Sequence, residues 1–225
     1  MPPAAYAAQN RKWGWVMGLG EWWEAHAVPR LIRVACAQPQ MMKARSEIVP
    51  RAHGDVFELG CGGGLNLSLM DPARITSFAG LDPSAALLED SRRAAAERGL
   101  SADIRAGVGE AIPFADASFD TVVTTFTLCS VRDQAQVLRE IRRVLRPGGT
   151  ALFLEHGSAP DVGVAKWQRR IEPVWKHIAG GCHLTRPISA AYRDAGFAVE
   201  PGGARYVPKT PRWAGWIEWG AARPG

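Results

Sequence analysis

Cysteine is scarce in this chain. Four occur in 225 residues, at Cys36, Cys61, Cys129 and Cys182, and no two form a Cys-x-x-Cys pair. That spacing argues against a disulfide framework and against a zinc site, so no metal is expected and a reducing cytoplasm is the expected location. Long hydrophobic runs are missing as well. No uncharged apolar stretch approaches the ~20 residues that cross a bilayer, and no basic segment followed by an apolar core opens the chain. Charge of one sign is not clustered: the net charge is +5, but Lys and Arg are spread along the chain, which permits a nucleic-acid or anionic-membrane partner without arguing for one, and no nucleic-acid partner is expected. Internal repeats and low-complexity segments are lacking. Tryptophan is lacking in the middle, since none of the nine lies between residues 24 and 166.

What the chain does have is a glycine loop. The run Asp55-Val56-Phe57-Glu58-Leu59 leads into Gly60-Cys61-Gly62-Gly63-Gly64, and helical character resumes at Leu65-Asn66. This reads as strand, tight turn and helix start. Glycines admit backbone close to a ligand, and a helix N-terminus offers free N–H groups to it. A dinucleotide fingerprint would need a third glycine where Leu65 stands, so the G-x-G-x-G pattern turns away from a nicotinamide dehydrogenase. Asp82 follows Gly60 by 22 positions and ends a second apolar run, the spacing of a carboxylate that holds ribose hydroxyls.

Periodicity organises the rest. Residues 10–50 read as helices broken by glycine and proline, with Trp15, Leu19, Trp22, Trp23 and His26 at helical spacing, then Met41, Met42, Arg45, Ile48 and Val49. Strands are expected to end at Phe57 and to cover 77–82, 102–106, 119–126, 150–155, 197–199 and 216–222. Helices are expected over 66–70, 85–98 with Ser84 as N-cap, 132–145, 164–178 with an interruption at Pro173, and 188–195 with Thr185 as cap. Seven strands alternating with helices predict an α/β, Rossmann-like, doubly wound and mostly parallel sheet. The division expected is an N-terminal helical extension, 1–50, acting as a lid on a single domain, 51–225.

Four ordered motifs carry a family resemblance: Glu58-Leu59-Gly60-Cys61-Gly62-Gly63-Gly64; Gly80-Leu81-Asp82-Pro83-Ser84; Gly109-Glu110-Ala111-Ile112-Pro113-Phe114 with Ser118-Phe119-Asp120; and Val144-Leu145-Arg146-Pro147-Gly148-Gly149. Together they resemble the class I S-adenosylmethionine-dependent methyltransferases. A narrower set is similar to the methyltransferase-like thiol S-methyltransferases: Thr127-Leu128-Cys129-Ser130-Val131, Leu154-Glu155-His156, Trp167-Gln168, Glu172-Pro173-Val174-Trp175, and Gly181-Cys182-His183-Leu184-Thr185-Arg186. The resemblance implies one antiparallel strand among the seven and S-adenosylmethionine as cofactor. It implies that Glu58 orients the methionine end, that Gly60, Cys61, Gly62 and Gly64 line its path, and that Asn66 and Pro83 adjoin it. Asp82 would take the ribose, Gly109, Glu110 and Ala111 would flank the adenine, and Thr125 would face the methionine region. Many relatives carry Asp where this chain has Val108, so backbone at 109–111 or the Glu110 side chain must hold the base. Animal members of the thiol group carry a hydrophobic N-terminal anchor; residues 1–50 show none, and membrane residence is not expected.

The resemblance also frames the acceptor. A thiol titrates near 8.5 and reacts as thiolate, so a base or a local positive charge helps. His156 follows the fifth strand at the carboxyl edge, where ligands of open α/β sheets sit, and is the leading catalytic candidate, with Glu155 and His183 behind it. Cys61 and Cys129 read as packing residues. Trp22, Trp167, Trp175 and His183 are expected to line an aromatic substrate pocket under the lid. The expected partner is a small molecule. Peripheral membrane contact through the N-terminal tryptophans with Arg30 and Arg33 is disfavoured by the glycines that break the helix. An O, N or lipid acceptor and a non-catalytic cofactor-binding role are the alternatives. A nucleic-acid methyltransferase is disfavoured because Thr124-Thr125-Phe126-Thr127 stands where base-amine enzymes carry an Asn-Pro-Pro-Tyr-like motif.

Overall fold

Residues 119–125 and 150–154 are dominated by apolar and β-branched side chains, the composition of strands covered on both faces. The computed structural model describes Val34 and residues 36–225. Among these, seven strands form one sheet: β1 (Gly54–Leu59), β2 (Ile75–Asp82), β3 (Ala102–Ala106), β4 (Phe119–Thr125), β5 (Leu145–His156), β6 (Phe197–Tyr206) and β7 (Trp216–Pro224). Their order is β3-β2-β1-β4-β5-β7-β6. The pairs from β3 through β5 are parallel, and β7 runs antiparallel to both of its neighbours. The α/β sheet with one antiparallel strand is therefore as expected. The strand order reverses between β1 and β4, which opens a crevice at their carboxyl ends.

Among the described residues the α-helices are α1 (Pro39–Arg45), α2 (Ala85–Glu97), α3 (Gln134–Val144), α4 (Val162–Ile178), α5 (Ile188–Asp194) and α6 (Arg212–Gly215). Alternation along β1 sends Val56 into one core layer, with Leu67, Phe78, Leu88 and Val123, and Phe57 into the other, with Leu138, Ile141, Phe153 and Tyr192. None of the helices described is long and apolar enough to cross a membrane. The lid expected of residues 1–50 lies mostly outside the described residues, as do Trp15, Trp22 and Trp23.

Several local expectations are corrected. Residues 66–70 do not begin an α-helix; Leu65–Leu69 is a short 3-10 segment entered through left-handed Gly64. The Ser84 side chain makes no cap bond on α2; Asp82 instead accepts the Ser84 N–H at 2.8 Å. Thr185 does not cap α5. Its N–H donates to Glu172 at 2.8 Å, and the cap comes from Glu218 on β7, which accepts the Ile188 N–H at 3.1 Å and the Ser189 hydroxyl. A carboxylate is favoured at a helix N-terminus, and this one arrives from 30 residues downstream of Ile188, beyond the reach of a local cap rule. Pro173 stands inside α4 without ending it. β6 runs past 199 because a bulge between Pro201 and Gly203 lets it continue alongside β7.

Tyr192 is the anchor between α5 and the sheet. It is fully buried, stacks on Phe153 at 4.8 Å and meets Phe197 edge-on at 5.3 Å. Its hydroxyl is 3.4 Å from Thr124 Oγ1. Tyr192→Ala is expected to cost about 3–5 kcal/mol in denaturant unfolding, whereas Tyr192→Phe, which loses only that long hydrogen bond, is expected to cost about 1 kcal/mol or less. Equal losses for the two variants would show that the ring packing is not what holds α5.

Candidate active site

The glycine loop is pinned to β2 before it meets any ligand. The N–H groups of Gly60 and Cys61 both donate to the Leu81 carbonyl, at 2.7 and 3.2 Å. Gly60 has φ +73°, and a Cβ there would fall 2.1 Å from Thr127 Oγ1. That glycine is demanded by the neighbouring loop as well as by its own backbone. Gly62, at φ +49°, turns its N–H to Asp82 Oδ2 at 2.9 Å. Asp82 thus holds both the glycine loop and the start of α2, and burial pushes its carboxyl above the usual range, against the pull of the Ser84 and Gly62 N–H groups. Cys61 is buried with its sulfur under Gly80, where any Cβ would come within 2.9 Å. Pro83 is exposed beside Asp82.

Beneath the loop lies a buried polar network. Asn66 Nδ2 donates to Glu58 Oε1 and to Thr125 Oγ1, both at 2.9 Å. Arg45, brought in by α1, donates to Asn66 Oδ1 at 2.7 Å and to Thr125 Oγ1 at 2.5 Å. All four side chains are buried. Glu58 Oε2 has no hydrogen-bond partner among the described residues. Burial pushes the Glu58 carboxyl up to about 8, against the pull of the Arg45 guanidinium and the Asn66 amide. Glu58, Asn66 and Thr125 were expected here. Arg45 was not. Its signal was a cation set among apolar residues at helical spacing, between Met42 and Ile48.

The expected adenine loop is a 3-10 turn over Gly109–Ala111. Glu110 Oε1 accepts the N–H groups of Arg132 and Asp133, at 2.9 and 3.1 Å. That oxygen is committed to the approach to α3, which leaves backbone at 109–111 as the stronger candidate to meet a base. Val108 is half exposed, at 51%.

The residues expected on the acceptor side lie at the end of β5 and on the loops after β4 and α4. Phe126 follows Thr125 with φ +56°. The Arg45 guanidinium sits 5.2 Å from its ring centre, and the His156 ring 4.9 Å. His156 Nδ1 lies 3.9 Å from Cys182 Sγ. The ligand atoms of Cys129, His156 and Cys182 all fall within 4.8 Å of one another. Glu155 is fully buried. Its Oε2 accepts the Cys129 N–H at 3.3 Å, and burial raises its carboxyl while the amides of 127–129 oppose that shift. Placed so, Glu155 positions the loop bearing Cys129. His183 donates its backbone N–H to the Cys129 carbonyl at 2.7 Å, while its imidazole Nδ1 pairs with Glu172 at 3.1 Å.

The tryptophans separate. Trp175 meets Trp213 edge-on at 5.2 Å, packs on the Cys129, Cys182 and Leu184 cluster, and keeps an indole N–H with no partner among the described residues. Trp167 is 56% exposed on α4 under the Arg170 guanidinium. The structure therefore brings His156, Cys182, Cys129 and Trp175 together and leaves Trp167 apart. A recess of about 200 Å³ lies elsewhere, between Arg51, His53, Arg74, Thr121, Thr150, Leu152 and Arg223.

The Methyltransferase domain family matches residues 57–153. Thiol S-methyltransferase TMT1B of Rattus norvegicus is 36% identical over 172 residues, 71% of this chain and 68% of that protein. Thiol S-methyltransferase TMT1B of Homo sapiens is 38% identical over 170 residues, with the same coverage. Among solved structures, a SAM-dependent methyltransferase from Thermotoga maritima superposes with a TM-score of 0.63 at 18% identity, covering 90% of this chain and 100% of that one. The cyclase SpnF superposes with a TM-score of 0.65 at 17% identity, covering 91% and 95%.

The buried Glu58 makes a test by pH. A carboxyl at about 8 in the folded chain and near 4.5 when unfolded binds its proton more tightly when folded. Its contribution is full below 4.5, declines as pH rises, and is gone above about 8. Ligand-free protein should lose stability across that window, by at most about 1.4 kcal/mol per pH unit from this group. Glu58→Gln should flatten the curve in denaturant titrations at several pH values. An unchanged slope in that variant would place the titrating group elsewhere.

Proposed function

The chain belongs to the class I S-adenosylmethionine-dependent methyltransferases, close to the thiol S-methyltransferase group, and on that footing we propose that it methylates a small apolar or aromatic thiol. The residues present fit the cofactor. Glu58 Oε2 is a buried acceptor without a partner among the described residues, suited to the ammonium of the methionine end. Gly62 and the Asp82 carboxylate, joined at 2.9 Å, are suited to the ribose, and the backbone of the Gly109–Ala111 turn to the adenine. When bound, S-adenosylmethionine supplies a sulfonium methyl group. The chain's own work is to hold the acceptor in line, exclude water and accommodate the acceptor's proton. Positioning of that kind is worth on the order of 7–11 kcal/mol for a well-oriented pair.

One juxtaposition carries the acceptor reading. The Phe126 ring lies close to both Arg45 and His156, so one aromatic side chain touches both the cofactor-side network and the acceptor-side imidazole. Beyond His156 lie two sulfurs and Trp175, a soft and largely desolvated wall that suits a polarisable thiolate better than a hydrated amine. Acceptor deprotonation falls to His156 with its sulfur neighbours; Glu155 and His183 support them by fixing the loop of Cys129. The compartment proposed is the cytoplasm, in keeping with four cysteines that are all unpaired.

Calorimetry with S-adenosylhomocysteine should give micromolar or tighter binding, and Asp82→Ala should weaken it on the order of 10-fold or more, the value of a charged hydrogen bond. No binding would remove the cofactor assignments. Transfer of labelled methyl should then favour alkyl and aryl thiols in a panel that also holds phenols, amines and lipid extracts. Labelling confined to amines would reject the thiol acceptor.

A further inference from the structure

Cys129, His156 and Cys182 lie 26 or more residues apart in sequence, yet their ligand atoms gather within 4.8 Å. Each comes from a different segment: the loop after β4, the end of β5, and the loop between α4 and α5. The segments are locked together independently of the sulfurs. His183 N–H to the Cys129 carbonyl, at 2.7 Å, ties the first to the third. Arg186 donates to the carbonyls of Leu128 and Val131, at 2.5 and 2.6 Å. Gly181, at φ +83°, passes so close to the Ser130 carbonyl that a Cβ would meet it at 3.0 Å.

From this arrangement we infer that Cys129, His156 and Cys182 form a three-ligand site for a thiophilic divalent ion of the Zn²⁺ class, with a fourth position open to a thiol. A tetrahedral zinc with sulfur and nitrogen ligands holds its donor atoms about 3.5–3.8 Å apart. The Cys182 Sγ to His156 Nδ1 distance is 3.9 Å, so closing the site needs shifts of tenths of an ångström to about 1 Å. Two cysteines and one histidine are a soft donor set that selects zinc over magnesium or calcium. Charge also balances. Two thiolates neutralise the ion, and the buried Glu155 carboxylate is offset by the Arg186 guanidinium, which is within electrostatic reach of it and of both sulfurs. The shell of Leu184, Trp175, Ala179 and Trp213 is apolar, as a tight metal site requires.

Three protein ligands leave a tetrahedral ion one exchangeable position, which is the pattern of catalytic rather than structural zinc. A thiol entering there displaces the bound water: its S–H bond breaks, the metal–sulfur bond forms, and the proton leaves to solvent. This part rests on the thiol reading above, and it makes His156 a ligand instead of a free base. The ion itself is inferred from the protein's own donors and stands apart from that reading.

The test uses the whole chain, reduced with a phosphine and stripped by a chelator, then titrated with Zn²⁺ alone against a chromophoric competitor and with Co²⁺ alone by absorption. One equivalent of zinc and a sulfur-to-cobalt charge-transfer band are expected. Cys129→Ser and Cys182→Ser should each weaken zinc on the order of 100-fold or more, since losing even an outer-shell partner costs 10–100-fold. Cys61→Ser, remote from the cluster, should bind zinc as the parent does. Adding a simple alkyl thiol should shift the cobalt d–d bands. Absence of stoichiometric zinc in the parent chain, which needs no variant to fold, would overturn the inference, as would equal affinity in the cysteine variants. Zinc with a cobalt spectrum indifferent to thiol would overturn the open fourth position. A chain that methylates thiols but takes no zinc keeps the acceptor reading and loses the metal; one that takes zinc but methylates only amines keeps the metal and loses the acceptor.

Discussion

A carboxyl group buried at the end of β1 constrains the site more than any other feature. Glu58 cannot be solvated, so the fold must bring it a partner, and that partner is itself held from two further directions. Asn66, from the 3-10 segment after the glycine loop, donates to Glu58, and Thr125 from the end of β4 and Arg45 from α1 hold Asn66 in turn. The bonds of Arg45 span 21 and 80 residues, so the network fixes how the helix before the sheet sits on the crevice between β1 and β4. One oxygen remains unpaired among the described residues. Leaving a buried acceptor unsatisfied costs about 1–3 kcal/mol; a cationic ligand group repays that cost, so stability is held back in a form that binding recovers. The raised pKa of Glu58 is the same fact expressed as a proton equilibrium.

The opposite end of the sheet shows a different economy. At the amino ends of the strands, Arg146 reaches Asp55 at 2.8 Å and Asp120 at 2.7 Å. Asp55 also accepts from Ser77 at 2.6 Å and donates its own N–H to Asp120 at 2.8 Å. The Ser77 hydroxyl and the Arg146 guanidinium hold the Asp55 carboxyl below its usual range. This cluster satisfies its own members and staples β1, β2, β4 and β5 at their starts. It is partly exposed, so its ion pairs add little each, but nothing in it is left waiting for a ligand. Satisfied charge at one edge and an incomplete acceptor at the other is how the sheet separates holding together from binding.

How much of this could be read from the chain alone follows from the range of each interaction. The glycine loop, Asp82 and the strands were legible because their signals are local: a run of apolar residues, a turn, a fixed spacing. Helix caps drawn from nearby residues were misread wherever the cap came from afar, as with Glu218 on α5. Arg45 carried a visible anomaly, a cation on an apolar stripe, but its partners lie 21 and 80 residues away. The trio of Cys129, His156 and Cys182 carried no local signal. The rule that excluded metal tested only short cysteine spacings, and the parallel sheet gathers chain ends at one edge whatever their separation.

That gathering also locates where the chemistry of this fold is decided. The Thermotoga methyltransferase and the cyclase SpnF share the architecture at 18% and 17% identity, so the sheet and its crevice do not choose a reaction. What this chain shares with the thiol S-methyltransferases at 36–38% identity extends over 170 residues or more, well beyond the 57–153 stretch of the common domain. Outside that stretch this chain carries the loop between α4 and α5 with Cys182 and His183, and the Glu172 carboxylate that pairs with the His183 imidazole and the Thr185 N–H. Phe126, with its ring 5.2 Å from the Arg45 guanidinium and 4.9 Å from the His156 ring, is one point where the buried network around Glu58 comes close to the cluster of His156, Cys129 and Cys182. The ring therefore covers a buried cation and packs against His156 as well. Its left-handed backbone, at φ +56° in a residue with a bulky side chain, is the strain accepted to put it there.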